Sequence, residues 1–506
     1  MLDVAVVGAG VGGCYCAHRL VAGTGRGGRV EVFERTDRVG GRLWSAPVRA
    51  APDLVADLGA MRVHRGLRSV IGLIRHLGLE PDLTPFTFDR PENLVHLRGA
   101  ATRRRAAGRS PDDLVAEAAE RLVPGFAELR RLRHEARSRD DRHRADSLLR
   151  SFHEQRDRAR LARRPLDTLT WTEALEHAMG ATAVAVVHDA GGYDVRHSAE
   201  SAAARLDLLF RTPPDAEYLT LRHGMQALSD ALHARFTAAG GVTRTGHRLV
   251  RLAREPGEDH YRLTFAVHDG RSESGHTRVL ARSVLLALPP EALRGLDPAG
   301  LPLARCLRPV LDAIEPVPAF KLFLVYPEPW WRSLGITHGR STTDTELRQL
   351  WYGGTCSPAN PTGSALLLAA YPSGRSVHAW DDLRDGVPHT PAAPAPTPGR
   401  AMVDHAHALL ARVHGATDLP DPVAACWADW SRPPHGAAWH VRRPGHGRGD
   451  TGPRTRQPLP RERVHLVSDS WTADPGSIEG TLASAEDVLR ACFGLPAPPW
   501  HAGSPR

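Results

Sequence analysis

Of 65 basic residues in this 506-residue chain, Lys321 is the sole lysine and the other 64 are arginine. Pressure toward GC-rich codons turns lysine into arginine wherever a point charge and a planar fork serve equally well. A retained lysine points to a site that needs a compact ammonium with a tunable pKa. Lys321 sits in Phe320-Lys321-Leu322-Phe323-Leu324-Val325-Tyr326, a strand pattern apolar on both faces, and shares its face with Phe323 and Val325. Two readings stay open on these residues: a buried lysine with chemical work, or one at a strand end snorkelling to water.

A second constellation opens the chain. Asp3 to Val7 reads as a short apolar strand, Gly8-Ala9-Gly10-Val11-Gly12-Gly13 as a glycine turn, and Cys14 to Val21 as a helix. In such a turn Gly8 permits the sharp bend, Gly10 admits backbone to a pyrophosphate, and Gly13 lets helix pack on strand, with the helix N-terminus facing the phosphates. Glu34 closes a second strand, Val30-Glu31-Val32-Phe33, 21 residues after Gly13. An acid there binds an adenosine ribose and disfavours a 2′-phosphate, hence NADP. Arg35 follows it. Gly40-Gly41-Arg42 comes six residues past Glu34 and can add amides and a guanidinium to the same pyrophosphate, a second clamp that simple NAD domains do not need.

The elements that must position these groups alternate in kind. Residues 67–80 pattern as an amphipathic helix and 111–210 as helical, broken at Gly191-Gly192-Tyr193. Strands are expected at 242–245, 261–267, 283–288, 319–326, 347–353, 365–371 and 464–467, and a last helix from Ser477 to Arg490. Pro388 to Pro398 is low-complexity and reads as a surface loop. The length fits two to four domains.

Composition excludes several classes. No stretch is long and apolar enough to span a membrane, and the chain enters its first strand without a signal-peptide pattern. Six cysteines (14, 16, 306, 356, 426, 492) show neither C-x-x-C nor zinc spacing, so a reduced cytoplasmic protein without structural metal is expected. The net charge of +8 is dispersed; the arginines of 103–164 alternate with acids and histidines, which argues against nucleic acid and for solvated helices. An acidic substrate or a carrier protein stays open. The 27 histidines include no H-E-x-x-H, and there is no G-x-S-x-G elbow; His435, His440 and His446 read as loop residues rather than ligands.

Together these blocks resemble the FAD-dependent amine oxidase superfamily, and within it the bacterial L-amino-acid oxidases of the tryptophan-oxidase type. The likeness rests on the N-terminal fingerprint, Gly40-Gly41-Arg42, Asp57-Leu58-Gly59-Ala60-Met61-Arg62, Arg222-His223-Gly224-Met225-Gln226-Ala227-Leu228, Ala287-Leu288-Pro289-Pro290, Lys321 with Trp330-Trp331, Gly339-Arg340-Ser341-Thr342-Thr343-Asp344, and Asp469 with Gly476-Ser477-Ile478-Glu479-Gly480. It implies an α/β chain: a Rossmann-like, discontinuous FAD-binding domain (1–75, 220–300, 455–495) plus an α+β substrate-binding domain (76–219 and 301–454, the former its helical subdomain), with 496–506 a tail.

The resemblance also implies roles. Arg62 matches the arginine that pairs with a substrate carboxylate, against a pyrophosphate or structural role. Lys321 matches the lysine holding a water near flavin N5. Gly59, Ala60, Met61, Arg62, Arg35, Ser477 and Ile478 join the cofactor set, Asp469 the ribityl or pyrophosphate, and Leu249 the adenine. Trp351 and Tyr352 match an aromatic wall and a second carboxylate partner, against core aromatics. Position 477 departs from the pattern: relatives carry Trp or Tyr where this chain has Ser477, so the cage is open or is filled by Trp471, Trp439 or Tyr193. The implied reaction is oxidation of an L-amino acid by FAD and oxygen in secondary metabolism, by a cytoplasmic homodimer. The alternatives are an amine dehydrogenase or desaturase acting on a natural-product intermediate, and a non-catalytic flavin-binding protein.

Overall fold

The computed structural model describes residues 1–24, 28–48, 51–268, 273–297, 299–355, 363–385, 395–433, 435–446 and 455–500. Most of the Pro388–Pro398 segment, and Cys356, lie outside the described residues. Five strands run parallel in the order Val242–Arg244, Val30–Phe33, Leu2–Val7, the end of Glu273–Leu286, and Val464–Leu466. Ala5, Val6, Val284, Leu285 and Leu286 are fully buried, because helices or further strands cover both faces. Glu273–Leu286 changes partner at Ala281. Before it the strand pairs antiparallel with Tyr261–His268, which pairs in turn with His247–Arg254.

Helices Val11–Thr24, Ala227–Ala238 and Ile478–Phe493 cover one face through Tyr15, Leu20, Leu228, Leu232, Leu482 and Leu489. The other face is closed by the meander and by helix Leu303–Asp312, whose Leu307, Val310 and Leu311 join Leu2, Ala5 and Val7. A boundary at residue 300 therefore cuts through this core; its apolar stripe needs helix 303–312 as a lid. The tail also needs correction. Trp500 stacks on His76 at 3.8 Å and donates from Nε1 to the Tyr15 hydroxyl (3.3 Å), so the chain packs back on the first core up to that residue.

The second sheet has seven strands in the order Ala424–Asp429, Phe320–Tyr326, Ala365–Ala370, Gln349–Thr355, Gly339–Thr343, Leu94–Leu97 and Ala100–Arg103. Its outer face packs Phe320, Leu322, Leu324 and Tyr326 against helix Arg400–His414. Its inner face packs Phe323 and Val325 on the hairpin Ser45–Val48/Ala51–Asp57. That hairpin was expected with the dinucleotide domain; its apolar side chains go instead to the second sheet.

Six helices, Pro111–Leu122, Phe126–Ser138, Arg142–Arg158, Trp171–Met179, Ala181–Gly191 and Ala202–Arg211, build a separate core around Phe126, Phe152, Trp171 and Phe210. Ser110 and Thr170 start two of them with capping boxes. Gly192, left-handed at φ 82°, ends a third and sets Tyr193 beyond it.

Candidate active site

The first glycine turn closes on the second. Gly10 bridges Gly40, and the Gly40 N–H donates to the Ala9 carbonyl at 2.8 Å. A Cβ on Gly13 would stand 1.8 Å from the Gly8 oxygen, and one on Gly8 2.4 Å from the Ala287 oxygen, so both glycines are demanded by the protein itself. Gly10 differs: a Cβ there meets nothing closer than Gly41 Cα at 3.9 Å. The space it would enter is a cavity of about 550 Å³ lined by Gly8, Gly10, Glu34, Arg35, Gly41, Arg42, Leu249, Asp469, Ser477 and Ile478, with Gly59, Ala60 and Met61 on its far wall.

The polar groups of this cavity fit a dinucleotide. The Glu34 carboxylate accepts the Ala9 N–H (2.8 Å) and the Thr36 N–H and hydroxyl (2.9 Å each), which anchors it beside the turn. Arg35 is half-buried, its Nη2 has no hydrogen-bond partner among the described residues, and burial lowers its pKa. Such an orphaned donor beside a glycine cradle suits a phosphate. Arg42 pairs with the buried Asp469, which also accepts the Gly476 N–H at 2.8 Å. Burial alone would raise the Asp469 carboxyl; Arg42 outweighs it and holds it below the usual range.

Lys321 is 3% exposed, and the snorkelling alternative falls with that number. Its Nζ donates to the Asp57 oxygen (2.8 Å) and the Gly59 oxygen (2.6 Å) and lies 5.1 Å from the Tyr371 ring centre. Burial brings its pKa down to about 7; Asp57 opposes the shift and Arg62 adds to it. An ammonium has three donors, so one stays unspent toward the cavity that Lys321 lines.

Arg62 stands where this cavity meets a larger one of about 1220 Å³; Ala60, Tyr371, Trp439, Ser477 and Ile478 line both. Its guanidinium packs over Phe88 (4.3 Å), Trp351 (5.4 Å), Phe86 (5.6 Å) and Tyr218 (5.8 Å) and donates to the Tyr193 hydroxyl at 3.2 Å. It has no carboxylate partner among the described residues. Neighbouring Arg340, by contrast, forks onto Asp89 at 2.9 and 3.0 Å. Burial alone would raise the Tyr193 phenol; Arg62 and Arg340 outweigh it and bring it below its ordinary value.

The expected wall is redistributed. Ser477 caps helix Ile478–Phe493: its oxygen accepts the Gly480 N–H (2.9 Å) and its hydroxyl donates to the Asp474 carbonyl (2.8 Å). Its side chain is thus engaged by backbone although it lines both cavities. Tyr193 meets Tyr371 and Trp439 edge-on at 6.2 and 6.3 Å, so three rings group at the junction of the cavities. Trp471 also lines the larger cavity, and its Nε1 donates to the Val310 oxygen (3.0 Å) in the first core.

Tyr352 is a further correction. Successive strand residues point to opposite faces, so Trp351 reaches Arg62 while Tyr352 faces the outer core. There its hydroxyl meets Ser341 (2.9 Å) and His414 (2.7 Å). His440 is no loop residue but buried on strand Trp439–Arg442, with Nε2 3.0 Å from both Glu291 oxygens. No metal-binding cluster occurs among the described residues. Sequence reasoning missed Phe86, Phe88, Tyr218 and Tyr371, which lie at or just past strand ends and carry no motif; the first three are marked only by their convergence on Arg62, and Tyr371 by its contacts with Tyr193 and Lys321.

Residues 11–491 match the family model for flavin containing amine oxidoreductase, and the chain belongs to that family. It is an FAD-dependent oxidoreductase acting on CH–NH2 groups. It is 27% identical to aplysianin-A of Aplysia kurodai over 522 residues, covering 97% of this chain and 90% of that one. It is also 27% identical to the flavin-dependent L-tryptophan oxidase RebO of Lentzea aerocolonigenes over 509 residues, with 96% and 97% covered. Putrescine oxidase bound to putrescine superposes with a TM-score of 0.68 at 19% identity, covering 97% and 99%. Cyclohexylamine oxidase from Brevibacterium oxydans gives 0.65 at 18%, covering 97% and 98%. At such identities these two structures speak for the shared mixed α/β fold alone. No helix among the described residues is long and apolar enough to cross a membrane.

Proposed function

We propose that the protein oxidises an L-amino acid to its imine, which hydrolyses to the 2-oxo acid and ammonia, with oxygen reduced to hydrogen peroxide. The observation that supports this most is Arg62, a cation at the junction of the two cavities, walled by rings and left without a carboxylate. A desolvated guanidinium costs several kcal/mol unless paired, and a substrate carboxylate matches its fork. The parallel sheet with its two glycine turns is the FAD-binding domain in this proposal. Bound FAD supplies the acceptor for hydride from Cα.

The chain's own residues do the rest. Arg62 holds the carboxylate, and Tyr193 fixes the guanidinium from the other side. Tyr371 and Trp439 confine the amine end. Lys321, with a pKa near 7 and one free donor, can hold a water, exchange a proton with it, and place positive charge where oxygen is reduced. RebO, named for L-tryptophan oxidation, favours an amino acid over a simple amine. The 1220 Å³ cavity favours a second possibility, dehydrogenation of a larger amine, which turnover without peroxide would select.

The test is an anaerobic titration of the FAD-loaded protein with L-amino acids, followed at the flavin bands. Bleaching by one of them is expected; bands that persist through the whole panel would sink the proposal. Arg62→Ala should raise KM for that substrate by about 100-fold or more, and an unchanged KM would remove Arg62 from the site.

A further inference from the structure

Arg130, Arg133 and Arg137 recur along one face of helix Phe126–Ser138, and Arg211 ends the neighbouring helix Ala202–Arg211. Arg130, Arg137 and Arg211 line the larger cavity. Four other buried guanidiniums among the described residues are paired, Arg19 with Glu486, Arg156 with Asp207, Arg340 with Asp89 and Arg384 with Asp429, while Arg348 donates to the Thr343 and His188 carbonyls. Here, among the described residues, none is paired. Arg133, 1% exposed, has Nε and Nη1 without a partner, and Arg211 Nε is likewise buried and unbonded. Arg137 forms no ion pair among the described residues, and Arg130 donates only to the Thr212 carbonyl at 2.9 Å.

None of the nearby acids forms an ion pair with the group among the described residues; Asp215 and Asp112 act on Arg130, and Asp146 on Arg133, only through their fields. The Glu479 carboxylate accepts the Ser69 and Val70 N–H groups at 3.2 and 3.0 Å. Asp474 acts on Arg133 and Arg137 only through its field, without an ion pair. Burial, then Arg137 and Arg211, bring the Arg133 pKa down to about 9. Arg130, Arg137 and Arg211 in the cavity wall, and Arg133 beside Arg137 and Arg211, thus have no ion-pair partner among the described residues.

The cluster shares its cavity with Arg62. His64 also lines it, two residues along the chain from Arg62 and thus about 7 Å away, and it lies within the field of Arg137. We infer that the outer half of this cavity is an anion subsite in which Arg137, Arg211 and Arg130 receive a second acidic group, so that the substrate is an amino acid whose side chain ends in a carboxylate or phosphate. This rests on Arg62 holding the α-carboxylate.

Binding of non-reacting ligands to the FAD-loaded protein tests this without turnover. Isothermal titration with straight-chain alkanedioates of increasing length, against monocarboxylates of equal length, reads the second charge directly. One alkanedioate length should bind about tenfold or more tighter than its monocarboxylate, and Arg137→Gln or Arg211→Gln should abolish that preference while monocarboxylate affinity stays. A parallel series of ω-phosphonoalkanoates distinguishes phosphate from carboxylate as the preferred end. Equal affinity of di- and monocarboxylates at every length in the wild-type protein overturns the subsite, whatever the variants do. Failure of the Arg62 assignment shows separately, as monocarboxylate binding indifferent to Arg62→Ala.

Discussion

The cavity around Gly8, Gly10 and Gly41 is made of backbone, whereas the one around Arg62, Tyr193 and Tyr371 is made of side chains. In the first, the pairing of two turns and the packing of Gly13 on Gly8 leave no room for a Cβ. Its glycine turns fall in two short stretches of the first 42 residues. In the second, the rings on Arg62 come from residues 86, 88, 218 and 351 and the three grouped rings from 193, 371 and 439, spread over three bodies of structure. A backbone-built site admits no Cβ where the turns pack on the protein itself, at Gly8 and Gly13. A side-chain-built site can be retuned one residue at a time.

The sharpest way to break that contrast is within the glycine turn. Gly13→Ala forces a Cβ to 1.8 Å from a carbonyl oxygen and should cost about 3 kcal/mol or more, read as a fall in melting temperature of the apoprotein. Gly10→Ala, open to 3.9 Å, should leave the apoprotein melt within about 2 °C and weaken FAD binding instead. Equal effects on both would mean that the cavity beside Gly10 is not the pyrophosphate's.

Lys321→Met comes next. The folded pKa near 7 lies below the ordinary 10.5, so between those values the unfolded chain binds more protons and stability rises with pH. The wild type should therefore gain on the variant by a few kcal/mol from pH 7 to pH 10, measured by denaturant melts at each pH. A gap that stays flat would show a lysine of ordinary pKa. In stopped flow, flavin reduction or its reoxidation should slow; if neither half-reaction changes, Lys321 is structural.

Tyr352→Phe sharpens the division between the two strand faces. Losing the bonds to Ser341 and His414 should cost about 1–2 kcal/mol with KM within about twofold of wild type. A large KM change would return Tyr352 to the substrate. Ser477→Ala is the smallest, about 1 kcal/mol through loss of the helix cap, read in the same melts.

Legibility followed the same division. Gly8, Gly13 and Glu34 could be placed from spacing because a turn between strand and helix is local and its constraints are steric. Lys321 stood out by type, and alternation of the strand correctly put it beside Phe323 and Val325. Tyr352 and Trp351 were adjacent in sequence and shared one expectation; the pleat separated them. For Ser477 the sequence leaves the cage open or filled by Trp471, Trp439 or Tyr193; Tyr193 and Trp439 do meet at the cavity, and Tyr371, unflagged by any motif, joins them. The hairpin 45–57 and helix 303–312 were assigned across the wrong boundary because an apolar stripe does not say which sheet it will cover.

By itself, the sequence determined the glycine turns, the acid at the strand end and the lone lysine, since each follows from the geometry of a few consecutive residues. Only the tertiary structure decided that Arg62 is left unpaired among rings, that Lys321 is held between two carbonyls from a hairpin some 260 residues earlier, and that a row of arginines faces the same cavity. Those properties are sums over neighbours distant in sequence, and burial and charge acquire their values only once those neighbours are in place.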